Sequence, residues 1–182
     1  MAAMLHDLLA AVSVAARVCV GLVFLLAAMQ KASHWRVLAG VVANYRLLPR
    51  RMAWPAAAVL PPVEMILAIL LLSMQFGPWP AAAAMALLGL FAVAMAINIA
   101  RGRDHIDCGC GESFLRQTLN WPLVARNLLL AGLLAPSLAM TGGMNMPLVL
   151  NGVAAGVGLF LLYLLFNILA ALPMERRGHR FA

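Results

Sequence analysis

Charge is scarce in this sequence. Only 10% of its 182 residues are Asp, Glu, Lys or Arg, and only six of those are acidic. Soluble domains carry about 25% charged residues, so an ordinary soluble enzyme is excluded. At 65% hydrophobic residues, so is a disordered chain. Cysteine is scarce too. Three residues are too few for a secreted disulfide scaffold and are not spaced like a zinc finger. What the chain has in abundance is apolar side chains, with a mean hydropathy of +0.96. A net charge of +7 on such a chain reads as basic loops beside membrane spans, not as a nucleic-acid surface.

Five apolar runs can be counted: Leu8–Met29, Ala53–Met74, Ala81–Ala100, Leu123–Met140 and Leu148–Leu172. A bilayer core of ~30 Å needs about 20 helical residues at ~1.5 Å each. Backbone polar groups in lipid must bond within their own segment, so such runs form helices. The expected fold is therefore all-α, a polytopic bundle of five transmembrane helices, arranged as a four-helix core plus one. It is expected to form a single domain over residues 1–182. The first run does not read as a cleaved signal peptide, because its leader lacks Lys and Arg. The only sizeable connections are residues 30–52 and 101–122, so any chemistry sits in these loops or inside the bundle.

The basic residues alternate with the spans. Lys31, Arg36, Arg46, Arg50 and Arg51 fall in the first connection, Arg101, Arg103 and Arg116 in the third, and Arg176, Arg177 and Arg180 in the tail. The second and fourth connections and the amino terminus have none. The positive-inside rule then places the amino terminus in the periplasm and the tail in the cytoplasm of a bacterial inner membrane.

Several polar groups fall within the runs. Arg17 in the first span and Glu64 in the second are expected to lie at similar depth and to pair, with a carbonyl left without its donor by Pro62 as a further acceptor for Arg17. Such a centre either fixes helix register or serves a quinone head group or a nearby thiol. Cys19 reads as a small apolar filler. Asn98, Asn127, Asn167, Arg126 and Gln30 share a depth near the basic side, which fits interhelical hydrogen bonds or a polar pocket. Gly152 and Gly156 form a G-x-x-x-G, suited to close packing within the chain or to a dimer seam.

The stretch Arg101–Glu112 carries Cys108 and Cys110, separated only by Gly109. A disulfide across one residue closes a small ring that needs the freedom of Gly109 and Gly111. Its strain favours reduction, which suits exchange with a partner. Arg101 and Arg103 favour a thiolate, and Asp104 and Asp107 oppose it. Two other readings stay open: a copper(I) or zinc site completed by His105, and a turn with two inert thiols.

Together these residues resemble the MauE family, methylamine utilisation proteins related to DoxX-type membrane proteins. The likeness lies in Arg17 with Gly21-Leu22-Val23-Phe24, Lys31 after the first span, Ala43-Asn44-Tyr45-Arg46-Leu47-Leu48-Pro49, Glu64, Asp107-Cys108-Gly109-Cys110 and Arg126-Asn127. The chain departs from the usual pattern after Cys110, where Gly111-Glu112 stands in place of Phe-Gly. The resemblance implies an inner-membrane protein needed for processing, export or maturation of the periplasmic methylamine dehydrogenase β-subunit. It implies a thioredoxin-like partner, MauD. No cofactor and no metal are expected. It marks Cys108 and Cys110 as the redox pair, supported by Gly109, Asp107, Arg17, Glu64, Lys31 and Arg126. Non-catalytic docking and metal handling are the alternatives.

Overall fold

The computed structural model describes residues 2–74, 77–103, 119–139 and 146–171. Its elements are α1 (Ala2–Ser33), α2 (Trp35–Tyr45), α3 (Arg50–Ser73), α4 (Trp79–Ala100), α5 (Trp121–Leu133), α6 (Pro136–Ala139) and α7 (Met146–Ala171). The described residues contain no strand. Five segments are long and apolar enough to span a bilayer: His6–Ser33, Arg50–Ser73, Trp79–Ala100, Trp121–Ala139 and Met146–Ile168. The expected all-α five-span bundle is what the chain forms.

The spans break where the chemistry of the chain requires it. α3 ends at Met74 in the left-handed region, and the turn that follows contains Gly77 at φ +59°, a conformation glycine adopts without a Cβ penalty. Asn120 caps α5 by accepting the Leu123 N–H at 3.1 Å, with Pro122 in the first turn, where no donor is needed. The fourth span is interrupted at Leu134 and Ala135, ahead of Pro136, and resumes as the single turn of α6.

All four tryptophans lie near helix ends. Trp35, Trp79 and Trp121 open α2, α4 and α5, and Trp54 sits in the first turns of α3 against Trp35, with ring centroids 5.1 Å apart. Indoles at the two ends of a bundle match the two interfaces of a bilayer.

α1 is the central post. Its flanks pack on α3 and α7, and the turn of α6 closes on it. The main core joins Ala16, Val20 and Phe24 of α1 to Ala68 and Leu71 of α3, Ala84 and Leu88 of α4, and Leu130 of α5. A second cluster fastens α4 to α5 through Ala92, Met95, Leu119, Leu123 and Val124. Ser13 and Ser137 tie α1 to α6: the Ser13 hydroxyl donates to Ser137 Oγ at 3.0 Å, and Ser137 donates to the Ser13 carbonyl at 3.3 Å.

The G-x-x-x-G acts within the chain. A Cβ on Gly152 would lie 2.6 Å from Val14 Cβ, and one on Gly156 would lie 2.6 Å from Val18 Cβ and 2.7 Å from the Ala15 carbonyl. Each contact moves four residues along both helices in the same sense, so α1 and α7 run parallel, as the first and fifth of five spans must.

α2 lies in a stretch that reads in sequence as a basic connection. Leu38, Val41, Val42 and Tyr45 recur at the i, i+3, i+4, i+7 spacing of one helical face, and this face turns inward. Arg36 and Asn44 remain exposed.

Candidate functional site

The bundle's ionic centre is a pair of buried side chains. Glu64 of α3 is fully buried, Lys31 of α1 is 8% exposed, and Lys31 Nζ donates directly to Glu64 Oε1. The Lys31 ammonium also sits 5.2 Å from the centroid of the Phe91 ring of α4, a cation–π distance. Three helices therefore converge on one charge pair. Glu64 is ten residues from Trp54, about 15 Å along α3, which is half the ~30 Å hydrocarbon thickness.

Glu64 meets Lys31, not Arg17. The expected Arg17–Glu64 pair fails on register. Arg17 donates through Nη2 to the carbonyl of Gly77, in the turn between α3 and α4. The two contacts of the α1 side, Lys31 with Glu64 and Arg17 with Gly77, are 14 residues apart on one strand of the pairing and 13 on the other. Arg17 and Glu64 thus differ in depth by about 20 Å. Lys31 does not mark the membrane edge: it lies inside the bundle, and α3 begins well beyond the end of α1, where α2 covers it. The same register takes Arg17 away from the carbonyls that face Pro61 and Pro62. It brings Arg17 level with Trp79, at the interface opposite the basic loops.

Arg126 of α5 makes a separate latch. Its Nη1 donates to Asn167 Oδ1 of α7 at 2.7 Å, and its guanidinium lies 5.6 Å from the Tyr163 ring. Asn167 Nδ2 in turn donates to the Tyr163 carbonyl at 2.7 Å. Asn98 and Asn127 donate to carbonyls four residues back in their own helices, those of Ala94 and Leu123. Among the described residues these side chains form local bonds and one interhelical latch. Cys19 is buried at 2% exposure in the α1 core as a free thiol, the filler it reads as in sequence.

Asp107, Cys108, Gly109 and Cys110 lie outside the described residues. The chain enters their segment from Arg103, whose N–H donates to the Asn98 carbonyl at 3.0 Å, and leaves it at Leu119, 2% exposed in the α4–α5 cluster. Both ends of the segment are thus anchored to the same pair of helices.

Beside the ionic centre lies a cavity of about 420 Å³ bounded by α2, α3 and α4. The apolar stripe of α2 forms one wall, Val59 and Leu60 a second, Phe91, Ala94 and Met95 a third, and Lys31 stands at its polar end. Phe91 and the α2 stripe escaped the sequence reading. The spacing of the stripe carried the signal, and the five basic residues of that connection obscured it.

The chain matches the family described as methylamine utilisation protein MauE over residues 9–141. It is 38% identical over 174 residues to a methylamine utilization protein MauE of Paracoccus denitrificans, covering 92% of each chain. It is 40% identical over 143 residues to a protein of that name from Methylorubrum extorquens, covering 75% of this chain and 76% of the relative, and 35% identical over 169 residues to one from Methylophilus methylotrophus, covering 91% and 89%. No solved structure matches it. The family match over residues 9–141 and the agreement of sequence along nearly the whole chain lead to one conclusion: this protein belongs to the MauE family.

Proposed function

We propose that this protein serves methylamine utilisation as a multi-pass, single-domain protein of the bacterial inner membrane, and that Cys108 and Cys110 are its redox pair. The observation that carries the pathway is the likeness, along most of the chain, to relatives named for methylamine utilisation. The chemistry rests on the Cys-Gly-Cys sequence between two anchored helix ends. The dithiol gives two electrons and two protons to a partner disulfide: the Cys108–Cys110 bond forms, and the partner's S–S bond becomes two thiols. In the reverse direction the partner reduces the pair. Gly109 relaxes the turn and Asp107 tempers the thiolate. Arg17, Lys31, Glu64 and Arg126 hold the helices that carry the loop. The partner in this reading is the thioredoxin-like MauD, and the protein matured is the methylamine dehydrogenase β-subunit.

Cys110→Ser is expected to leave Cys108 able to trap a mixed disulfide with the thioredoxin-like partner, or the reverse if Cys110 attacks first. Thiol-specific mass tagging should add two tags after reduction that are absent from the oxidised form. Full maturation of the dehydrogenase by a chain lacking both thiols would replace the redox reading with a docking one.

The orientation follows from charge. With Lys31 assigned to the interior, ten basic residues remain in the two large connections and the tail. The short connections still have none, so the amino terminus is periplasmic and the tail cytoplasmic. A reporter fused at Ala182 should be active only if it works in the cytoplasm. Activity of a periplasmic reporter at that site reverses the orientation.

A further inference from the structure

The cavity beside Lys31 has the form of a ligand site opening sideways into the bilayer. Its walls are apolar, and two of its lining residues, Val59 and Leu90, are 56% and 60% exposed on the outer surface of the spans. A molecule dissolved in lipid therefore reaches it without crossing water. Its volume of about 420 Å³ lies within the range of small-molecule sites, roughly 300–1,000 Å³.

The polar end defines the head of the occupant. Lys31 carries three N–H donors, and Glu64 takes one. Because Glu64 neutralises the ammonium, a second anion there would bring an uncompensated charge to mid-bilayer depth, which is strongly unfavourable. A neutral acceptor meets no such cost, and a ring carbonyl oxygen is a neutral group that accepts a hydrogen bond from an ammonium. Phe91 and Tyr45 offer ring faces and edges beside the same space, which suits a flat ring. We propose that this cavity binds a membrane quinone, its ring carbonyl on Lys31 and its apolar tail leaving between α3 and α4.

The test compares two probes of similar shape on the full chain in detergent or nanodiscs. Decylubiquinone carries the carbonyls, and decylbenzene carries only ring and tail. The unaltered protein is expected to bind decylubiquinone saturably and at least about tenfold more tightly than decylbenzene. Ala94→Phe fills the cavity without touching the ion pair and is expected to weaken quinone binding at least about tenfold. Lys31→Met combined with Glu64→Met is expected to abolish the preference for the quinone while decylbenzene still binds. Should this double variant not fold, Ala94→Phe still decides the matter. Cys108→Ser and Cys110→Ser are expected to leave binding unchanged, so the result does not depend on the thiol reading. Equal affinity for both probes makes the cavity a seat for a lipid tail and overturns the proposal. So does the absence of saturable binding, or binding untouched by Ala94→Phe.

Discussion

Glu64→Leu, with Lys31 left in place, is expected to destabilise the bundle by about 3–5 kcal/mol. The cost comes less from the lost attraction than from what remains. Lys31 is 8% exposed in the natural protein, its carboxylate partner is fully buried, and the surroundings are apolar. Without Glu64 the ammonium must drag water inward or pull α1 out of register with α3. Lys31→Met and Glu64→Met together remove both charges at similar volume, and this pair is expected to recover most of the loss. Thermal unfolding of the purified protein, with membrane levels alongside, measures both. A single variant that melts like the natural protein would show that Lys31 does not rely on Glu64.

Gly156→Leu is expected to detach α7. Even a methyl group at this position would lie 2.7 Å from a backbone carbonyl of α1, which cannot swing aside as a side chain can. Gly156→Ala already forces the helices apart, at about 1–3 kcal/mol, and Leu adds three more carbons to the same gap. Gly158 provides the control within the same helix, since a Cβ there meets nothing within 4 Å. Gly158→Ala is expected to be neutral or slightly stabilising, because alanine is the better helix former. Proteolysis of the membrane-embedded protein reads the difference: α7 is released early in the Gly156 variants and not in the Gly158 variant. Equal sensitivity of both would mean that the α1–α7 contact contributes little.

The five spans were legible in the sequence because the bilayer fixes their length and demands apolar side chains throughout. Depth was less legible. Charge alternation marks which side a loop faces, but it does not say which basic residue has left the loop for the interior. Lys31 is such a residue, and it, not Arg17, reaches the depth of Glu64. α2 was hidden for a related reason. Its apolar stripe is four residues long and lies among Lys31, Arg36, Arg46, Arg50 and Arg51, so charge dominated the reading of the segment. The G-x-x-x-G announced a close contact and left the partner open, since spacing alone does not distinguish a neighbour in the same chain from a second copy. The redox pair was read from residues 108 and 110, whose segment lies outside the described residues.

The Lys31–Glu64 pair has a consequence for biogenesis. At its final depth neither α1 nor α3 is a sound membrane span alone, because each carries one charge to mid-bilayer, at about 2.5–3.5 kcal/mol on the insertion scale. α1 leaves the ribosome first, and it cannot relieve its charge by sliding outward: the shift that brings Lys31 to the surface draws Arg17, about 20 Å along the same helix, into the hydrocarbon. The helix therefore stays a costly span until α3 delivers Glu64, and the ion pair makes its final depth the favourable one.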